Sequence, residues 1–432
     1  MSVHAATLER RSASIVQRPA LAGTWLVAGA TVGSGLLTYI FLVVAARSLG
    51  AEQYGQIGVL WGAIFIAAIV LFRPLEQTTS RAIAHRLARG LEVRTVLRSV
   101  SLIGIGILAL GVAGAVIGWS TISDRLFRGD NVLTAMLLAG TLAYGLSYLV
   151  RGVAGGVCWF KGYSLGLLAD SASRLVLAAP LVVVASRNIA ALALVGGGLV
   201  GAAVPFYAGR RQFRRVFEGT SGANFRLRQA AAFAGPATAI AAADQVLVNG
   251  GPLLVVASGG ASATKAAGVV FAATMLVRAP VYVFQGIAAA LLPNLTRLQA
   301  GNETASFRRA VVRTSLVLTA TGALIVSATA VAGPAAMRLY GSGFAAGRTE
   351  LVLLATGVAC YLAAGAFSQA LLSLDGGVRA AAAWTIAAGV FVGYYAGASG
   401  APLWRVSSAF AVAMATATLL VAGLLAERVR GS

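Results

Sequence analysis

Histidine and cysteine are almost missing from this chain, with two of each in 432 residues: His4, His85, Cys158 and Cys360. A zinc centre and a disulfide framework both need several such side chains at short spacing, so both are excluded. Neither H-E-x-x-H nor G-x-x-x-x-G-K-[ST] occurs. The metalloprotease helix and the nucleotide-cradling loop are therefore absent, and with the loop goes an ATP-driven pump within this chain. No cofactor, metal or catalytic residue is expected. Charge is scarce too, at 11% of residues, and acidic charge most of all, with 13 Asp and Glu against 34 Lys and Arg. A soluble domain carries about 25% charged residues, so that class is excluded as well.

What is present is apolar sequence, 58% of the chain. Runs long enough to cross about 30 Å of hydrocarbon lie at Leu21–Ala46, Gln56–Ile83, Val100–Trp119, Val132–Val153, Tyr163–Ala185 and Ile189–Tyr207 in the first half. The second half adds Ala230–Ser258, Ala267–Leu292, Thr314–Ala332, Leu351–Leu374, Ala380–Gly397 and Val406–Ala426. These runs are continuous and do not alternate, which selects helices over a barrel in lipid. The expected fold is an all-α polytopic membrane protein of about twelve transmembrane helices. The first helix is expected to be uncleaved, because its apolar run exceeds the roughly 7–15 residues of a signal-peptide core.

Basic residues cluster at Arg81, Arg86, Arg89, Arg94 and Arg98, at Arg210, Arg211, Arg214, Arg215, Arg226 and Arg228, and at Arg297, Arg308, Arg309 and Arg313. All three clusters fall on one side of the membrane, which by the positive-inside rule is the cytoplasm. Both termini are then expected on the cytoplasmic side of a bacterial cytoplasmic (inner) membrane. Contact with anionic lipid headgroups accounts for the net charge of +21, and no nucleic acid is expected. The basic linker 209–228 divides the chain into lobes at 1–208 and 229–432, each with six spans. Arg86–Gly90 is echoed at Arg297–Gly301, as expected of two pseudo-symmetric lobes related by an axis along the membrane normal, with a central cavity between them.

Six ionised side chains stand at membrane depth: Arg73, Glu76, Asp170, Arg174, Asp244 and Arg278. Each costs about 2.5–3.5 kcal/mol on insertion unless it meets a partner or a wet cavity. Arg73 and Glu76, three apart, and Asp170 and Arg174, four apart, share helical faces and can neutralise each other. Alternatively their arginines line a cavity and accept an anionic ligand. Arg174 and Arg278 each lie about 11 residues into a span, roughly 16 Å deep. Arg278 has no acid within four residues, so it needs either Asp244 or a ligand. Arg151, at the edge of its span, is expected to snorkel. Trp61, Trp119, Trp159, Tyr163 and Trp404 are expected in the interfacial belt. Gly29/Gly33, Gly152/Gly156 and Gly197/Gly201 offer close helix approach. Pro74, Pro180, Pro205, Pro236, Pro252 and Pro280 remove intrahelical hydrogen bonds.

Several segments resemble one family. They are Phe271–Pro280 with Gln285 and Pro293–Leu298; Ala45–Gly50 with Tyr54-Gly55; Leu149–Gly152 with Phe160–Tyr163; and Arg338–Gly341 with Phe344 and Ser368–Leu372. In this order they are similar to the multidrug/oligosaccharidyl-lipid/polysaccharide exporter superfamily, in its polysaccharide biosynthesis, O-antigen flippase (Wzx-like) branch. The resemblance implies a flippase that moves undecaprenyl-pyrophosphate-linked oligosaccharide across the membrane for cell-surface polysaccharide by alternating access. Its partners would be that lipid-linked oligosaccharide, membrane lipids, and a polysaccharide polymerase and glycosyltransferases. Arg278, Arg73 and Arg174 would hold the pyrophosphate, and Asp244, Asp170 and Glu76 would couple ions or pair charges. The first span lacks the arginine that related lipid II flippases carry, which argues against that substrate. An ion-coupled multidrug antiporter of the same superfamily is the second reading. A small-solute porter ranks third, because Thr78–Gly90 lacks G-x-x-x-D-x-x-G-R-[RK].

Overall fold

The computed structural model describes residues 2–89, 91, 93–214, 227–260, 262–300, 304–374 and 376–430. Side chains are described at 23, 25–89, 91, 93–213, 235–260, 262–281, 315–372, 374 and 376–428. The echo at Arg297–Gly301, Gln285, and the basic side chains of Arg214, Arg215, Arg226, Arg228, Arg297, Arg308, Arg309 and Arg313 lie outside these.

Thirteen α-helices and no strand occur among the described residues. The first half holds α1 (Ser2–Leu87), α2 (Arg94–Ile117), α3 (Trp119–Phe127), α4 (Asn131–Gly156), α5 (Phe160–Leu177), α6 (Arg187–Ala208) and the short α7 (Arg210–Arg214). The second holds α8 (Leu227–Ala257), α9 (Ala263–Ala300), α10 (Thr304–Met337), α11 (Arg348–Ser373), α12 (Gly377–Gly397) and α13 (Pro402–Arg430). Eleven are long and apolar enough to span a membrane, and the first covers 63 residues, Trp25–Leu87. That first one is two spans. Gly50, at φ 69°, takes a left-handed conformation that glycine adopts at little cost. Thr38 and Trp61 both reach the Arg174 guanidinium, at 3.4 Å and 5.1 Å. A straight helix would hold residues 38 and 61 about 35 Å apart, so the chain reverses at Gly50. Twelve spans follow among the described residues, as expected, in a multi-pass membrane protein.

Two expectations on boundaries change. The fifth span runs to Val182, but its α-helix stops at Leu177 and passes into a 3-10 turn, Ala179–Val182, because Pro180 has no N–H to continue the helix. The short helix α3 lies in a stretch where the hydropathy pattern marks no separate element. Asp130 caps the next helix by accepting from the Val132 and Leu133 amides at 2.9 and 3.1 Å, and it is paired with Arg187.

One lobe packs α1 on α4 and α5, and α6 on α4 and α5; the other packs α11 on α9, α10 and α13, and α12 on α8 and α13. The arm of α1 after Gly50 joins the lobes, lying on α8 and α9. Gly55, Gly58 and Gly62 face the second lobe along one stripe. A Cβ at Gly55 would overlap the Thr264 carbonyl, one at Gly58 the Phe271 ring, and one at Gly62 would stand 2.7 Å from the Asn249 carbonyl oxygen. Gly268 meets the Ala51 carbonyl in the same way. Of the glycine pairs read from sequence, Gly152 and Gly156 do sit against α1, whereas Gly29 has open space around it.

Tyr54 seals this junction, fully buried among Phe271, Tyr340 and Phe344 with ring centroids 5.2–6.3 Å away. Three described hydrogen bonds also join the lobes: the Tyr39 hydroxyl donates to the Met275 carbonyl at 2.6 Å, Arg47 to Leu339 at 2.7 Å and Arg128 to Gly260 at 3.0 Å. The lobes are joined at the Gly50 face. The Tyr54 hydroxyl has no hydrogen-bond partner among the described residues. Burying it unpaired costs about 1–3 kcal/mol in the closed form alone. Tyr54→Phe is therefore expected to favour closure, and spin labels at positions 52 and 342 would report a larger short-distance population.

Candidate functional site

The six charges separate into two groups. Asp170 and Arg174 are one turn apart on α5 and pair inside the first lobe, Nη2 to Oδ1 at 2.7 Å. Arg174 is 2% exposed. It donates to the Tyr144 hydroxyl at 2.7 Å, and that hydroxyl lies 3.1 Å from Asp170 Oδ1. Trp61 covers its guanidinium, which corrects the placement of Trp61 in the interfacial belt: it is 5% exposed. Every one of these contacts comes from the first lobe, so in this conformation Arg174 holds α1, α4 and α5 together and does not open onto the space between lobes.

Arg73, Glu76, Asp244 and Arg278 form the second group, drawn from both lobes. Arg73 is exposed even though Tyr148, Tyr163, Glu76 and Asp244 all lie within electrostatic reach of it. Exposure in such surroundings is the mark of a cleft-facing side chain. Asp244 belongs to the other lobe, so Arg73 faces it across the cleft. Tyr361 of α11 is within electrostatic reach of Asp244, Arg278 and Arg73. Asp244, Arg278 and Tyr361 each stand 13–15 residues from the end of their helix nearest the Gly50 face, roughly 20 Å down. Three helices thus bring polar atoms to one depth.

The expected face-sharing of Arg73 with Glu76 does not produce a close pair. Glu76 instead accepts from the Tyr163 hydroxyl at 3.0 Å and faces Arg151 at 4.0 Å. The cause is Gly152: a Cβ there would sit 2.9 Å from the Glu76 carbonyl oxygen, so its absence lets α4 lie directly on α1. Arg151 follows into the site. It is stacked on the Tyr148 ring at 4.2 Å and is 13% exposed, so it does not snorkel.

Arg278 meets no carboxylate within 4.0 Å among the described residues, and neither does Arg73. The pairing of Arg278 with Asp244 is therefore absent in this conformation. Arg278 Nη1 donates to the Val248 carbonyl at 2.9 Å. Asp244 is held by Gln245, whose amide donates to it at 2.8 Å, and Asn249 donates to Gln245 in turn at 2.7 Å. The site then has three guanidiniums, of Arg73, Arg151 and Arg278, against two carboxylates, both supplied with protein donors. Chemically this is a surplus of cationic donors over carboxylates. Sequence reading missed Tyr361, Tyr148 and the part played by Arg151. An aromatic residue within an apolar run gives no signal of its own, and Arg151 became a member only through the packing at Gly152.

No family model matches the chain. Uncharacterized proteins of Mycobacterium bovis and Mycobacterium tuberculosis are 27% identical over 371 residues, covering 83% of this chain and 79% of theirs. Among solved structures, the inward-facing conformation of a multidrug resistance MATE family transporter of the MOP superfamily is similar at TM-score 0.68 and 16% identity, over 92% of this chain and 96% of its own. An outward-facing conformation described in the same terms gives TM-score 0.61 at 15% identity, over 95% and 97%. A MOP superfamily transporter from Pyrococcus furiosus, described as having a binding pocket of reverse polarity that suggests a different function, gives 0.62 at 14%, over 94% and 96%. The fold is MATE-like, with two lobes.

Proposed function

We propose that this protein is a flippase carrying undecaprenyl-pyrophosphate-linked oligosaccharide across the bacterial cytoplasmic membrane by alternating access. The observation that carries the reading is that Arg73 and Arg278, one from each lobe, face a common cleft with no carboxylate within 4.0 Å among the described residues. A guanidinium keeps its charge at all physiological pH and offers a planar fork of donors that matches phosphate oxygens. Two of them, approaching from opposite walls, suit a diphosphate. Sugars would occupy the wet cleft and the polyprenyl chain would remain in lipid. The arginines at the terminal ends of the helices, Arg81, Arg89, Arg94 and Arg98 among them, orient that face to the cytoplasm. A cleft open on that side is the loading form. The reverse polarity ascribed to the pocket of the Pyrococcus furiosus relative is a precedent within this fold for a site of unusual charge.

The antiporter reading draws on Glu76 and Asp244 in the same cleft, since carboxylates are what a cationic substrate or coupling ion needs. Both already accept from neighbouring protein groups, so they are less available than the arginines.

In a deletion strain complemented with Arg278→Ala at parental abundance, surface polysaccharide is expected to fall at least about tenfold, given the worth of a charge-assisted bond. Lipid-linked oligosaccharide would collect on the inner leaflet. Normal polysaccharide with altered sensitivity to cationic drugs would replace this reading with the antiporter.

A further inference from the structure

The acceptor that holds Arg278 is itself set by sequence. In an α-helix the carbonyl of residue i receives the N–H of residue i+4. For Val248 on α8 that donor would be residue 252, which is Pro252 and has no N–H. Val248 lies in the body of the helix and is 6% exposed, so water does not readily replace the lost bond. Its carbonyl oxygen instead accepts from Arg278 Nη1 of α9 at 2.9 Å. The proline ring also crowds that carbonyl and turns it out of the helix line.

From this geometry we infer that Pro252 is the positioning residue for Arg278: by withholding one N–H it leaves the Val248 carbonyl as a neutral anchor that aims the guanidinium into the cleft. The arrangement rests on the anion-binding reading for its purpose, but not for its existence. A carboxylate in the same place would also hold Arg278, and it would cancel the charge the ligand needs. A carbonyl takes one of five N–H donors and leaves the full positive charge. The dependence is mutual. Arg278 relieves a carbonyl that would otherwise be orphaned in the membrane interior, where an unmet polar group is costly.

The test uses the full chain purified in detergent, as parent, Pro252→Ala, Arg278→Ala and the double variant. Thermal unfolding is measured for all four, and binding of inorganic pyrophosphate by calorimetry. Pro252→Ala restores the intrahelical bond to Val248, so it is expected to weaken pyrophosphate binding about tenfold with Arg278 still present, the worth of one hydrogen bond to a charged group. Arg278→Ala should lower the unfolding temperature in the parent chain and lower it clearly less in the Pro252→Ala background, because only the parent is left with a bare carbonyl. Equal costs of Arg278→Ala in the two backgrounds, with pyrophosphate affinity unmoved by Pro252→Ala, would overturn the assignment. Unequal costs with no pyrophosphate binding even by the parent would uphold the Pro252–Arg278 pairing and overturn the anion reading. The two failures are thus distinct.

Discussion

Arg174→Ala is expected to cost about 3–5 kcal/mol of stability, because it strands Asp170 inside the first lobe with its ion partner gone. The pair is tight, at 2.7 Å, and Arg174 is 2% exposed. Tyr144 would remain to donate to Asp170, but a hydroxyl does not neutralise a carboxylate. The loss should appear as a lower unfolding temperature in detergent and lower abundance in cells. Replacing both partners, as Asp170→Asn with Arg174→Met, removes both buried charges and should be milder than Arg174→Ala alone. That order separates a structural pair from a ligand site. A variant Arg174→Ala as stable as the parent but inactive in export would put Arg174 at the substrate, against its enclosure within the first lobe.

Gly268→Ala should open the closed face. Its Cβ would overlap the Ala51 carbonyl and come within 3.1 Å of the Gly55 amide nitrogen, both of them backbone atoms that cannot rotate away. Overpacking costs about 1–3 kcal/mol even where side chains can yield, so the closed population should fall at least about tenfold here. The same labels at positions 52 and 342 would show the long-distance state dominating, the reverse of Tyr54→Phe. Export should fail while the fold persists, since separating the lobes leaves the interior of each intact. A closed-form population equal to the parent's would show that this contact does not govern the gate.

Much of the fold is written in the hydropathy of the chain. Twelve apolar runs become twelve spans, and the charges interrupting them mark four of the side chains that converge on the cleft: Arg73, Glu76, Asp244 and Arg278. What sequence spacing does not carry is which neighbour each charge chooses. Arg73 and Glu76 share a helical face, yet Glu76 turns to Arg151 because a glycine on another helix permits a backbone approach. Asp244 is a reasonable partner for Arg278 by charge alone, but the carbonyl that Pro252 leaves vacant takes its place. Gly50 reverses the chain while its flanking residues stay helical, so the stretch between the apolar runs Leu21–Ala46 and Gln56–Ile83 is almost wholly helical. The glycine stripe at residues 55, 58 and 62 is invisible as function until the opposing Thr264, Phe271 and Asn249 are in view. Helical periodicity describes one element, whereas a site between lobes depends on pairs of them.

The central claim is that cleft arginines recognise a pyrophosphate-bearing lipid. Its most direct test is translocation by the purified full chain in proteoliposomes loaded with an undecaprenyl-pyrophosphate-linked sugar, scored by the fraction reaching the opposite leaflet. The account predicts translocation by the parent, and loss of it in both Arg73→Ala and Arg278→Ala at equal reconstitution. Translocation unaffected by either substitution, or movement of a cationic dye in place of the lipid, would contradict it.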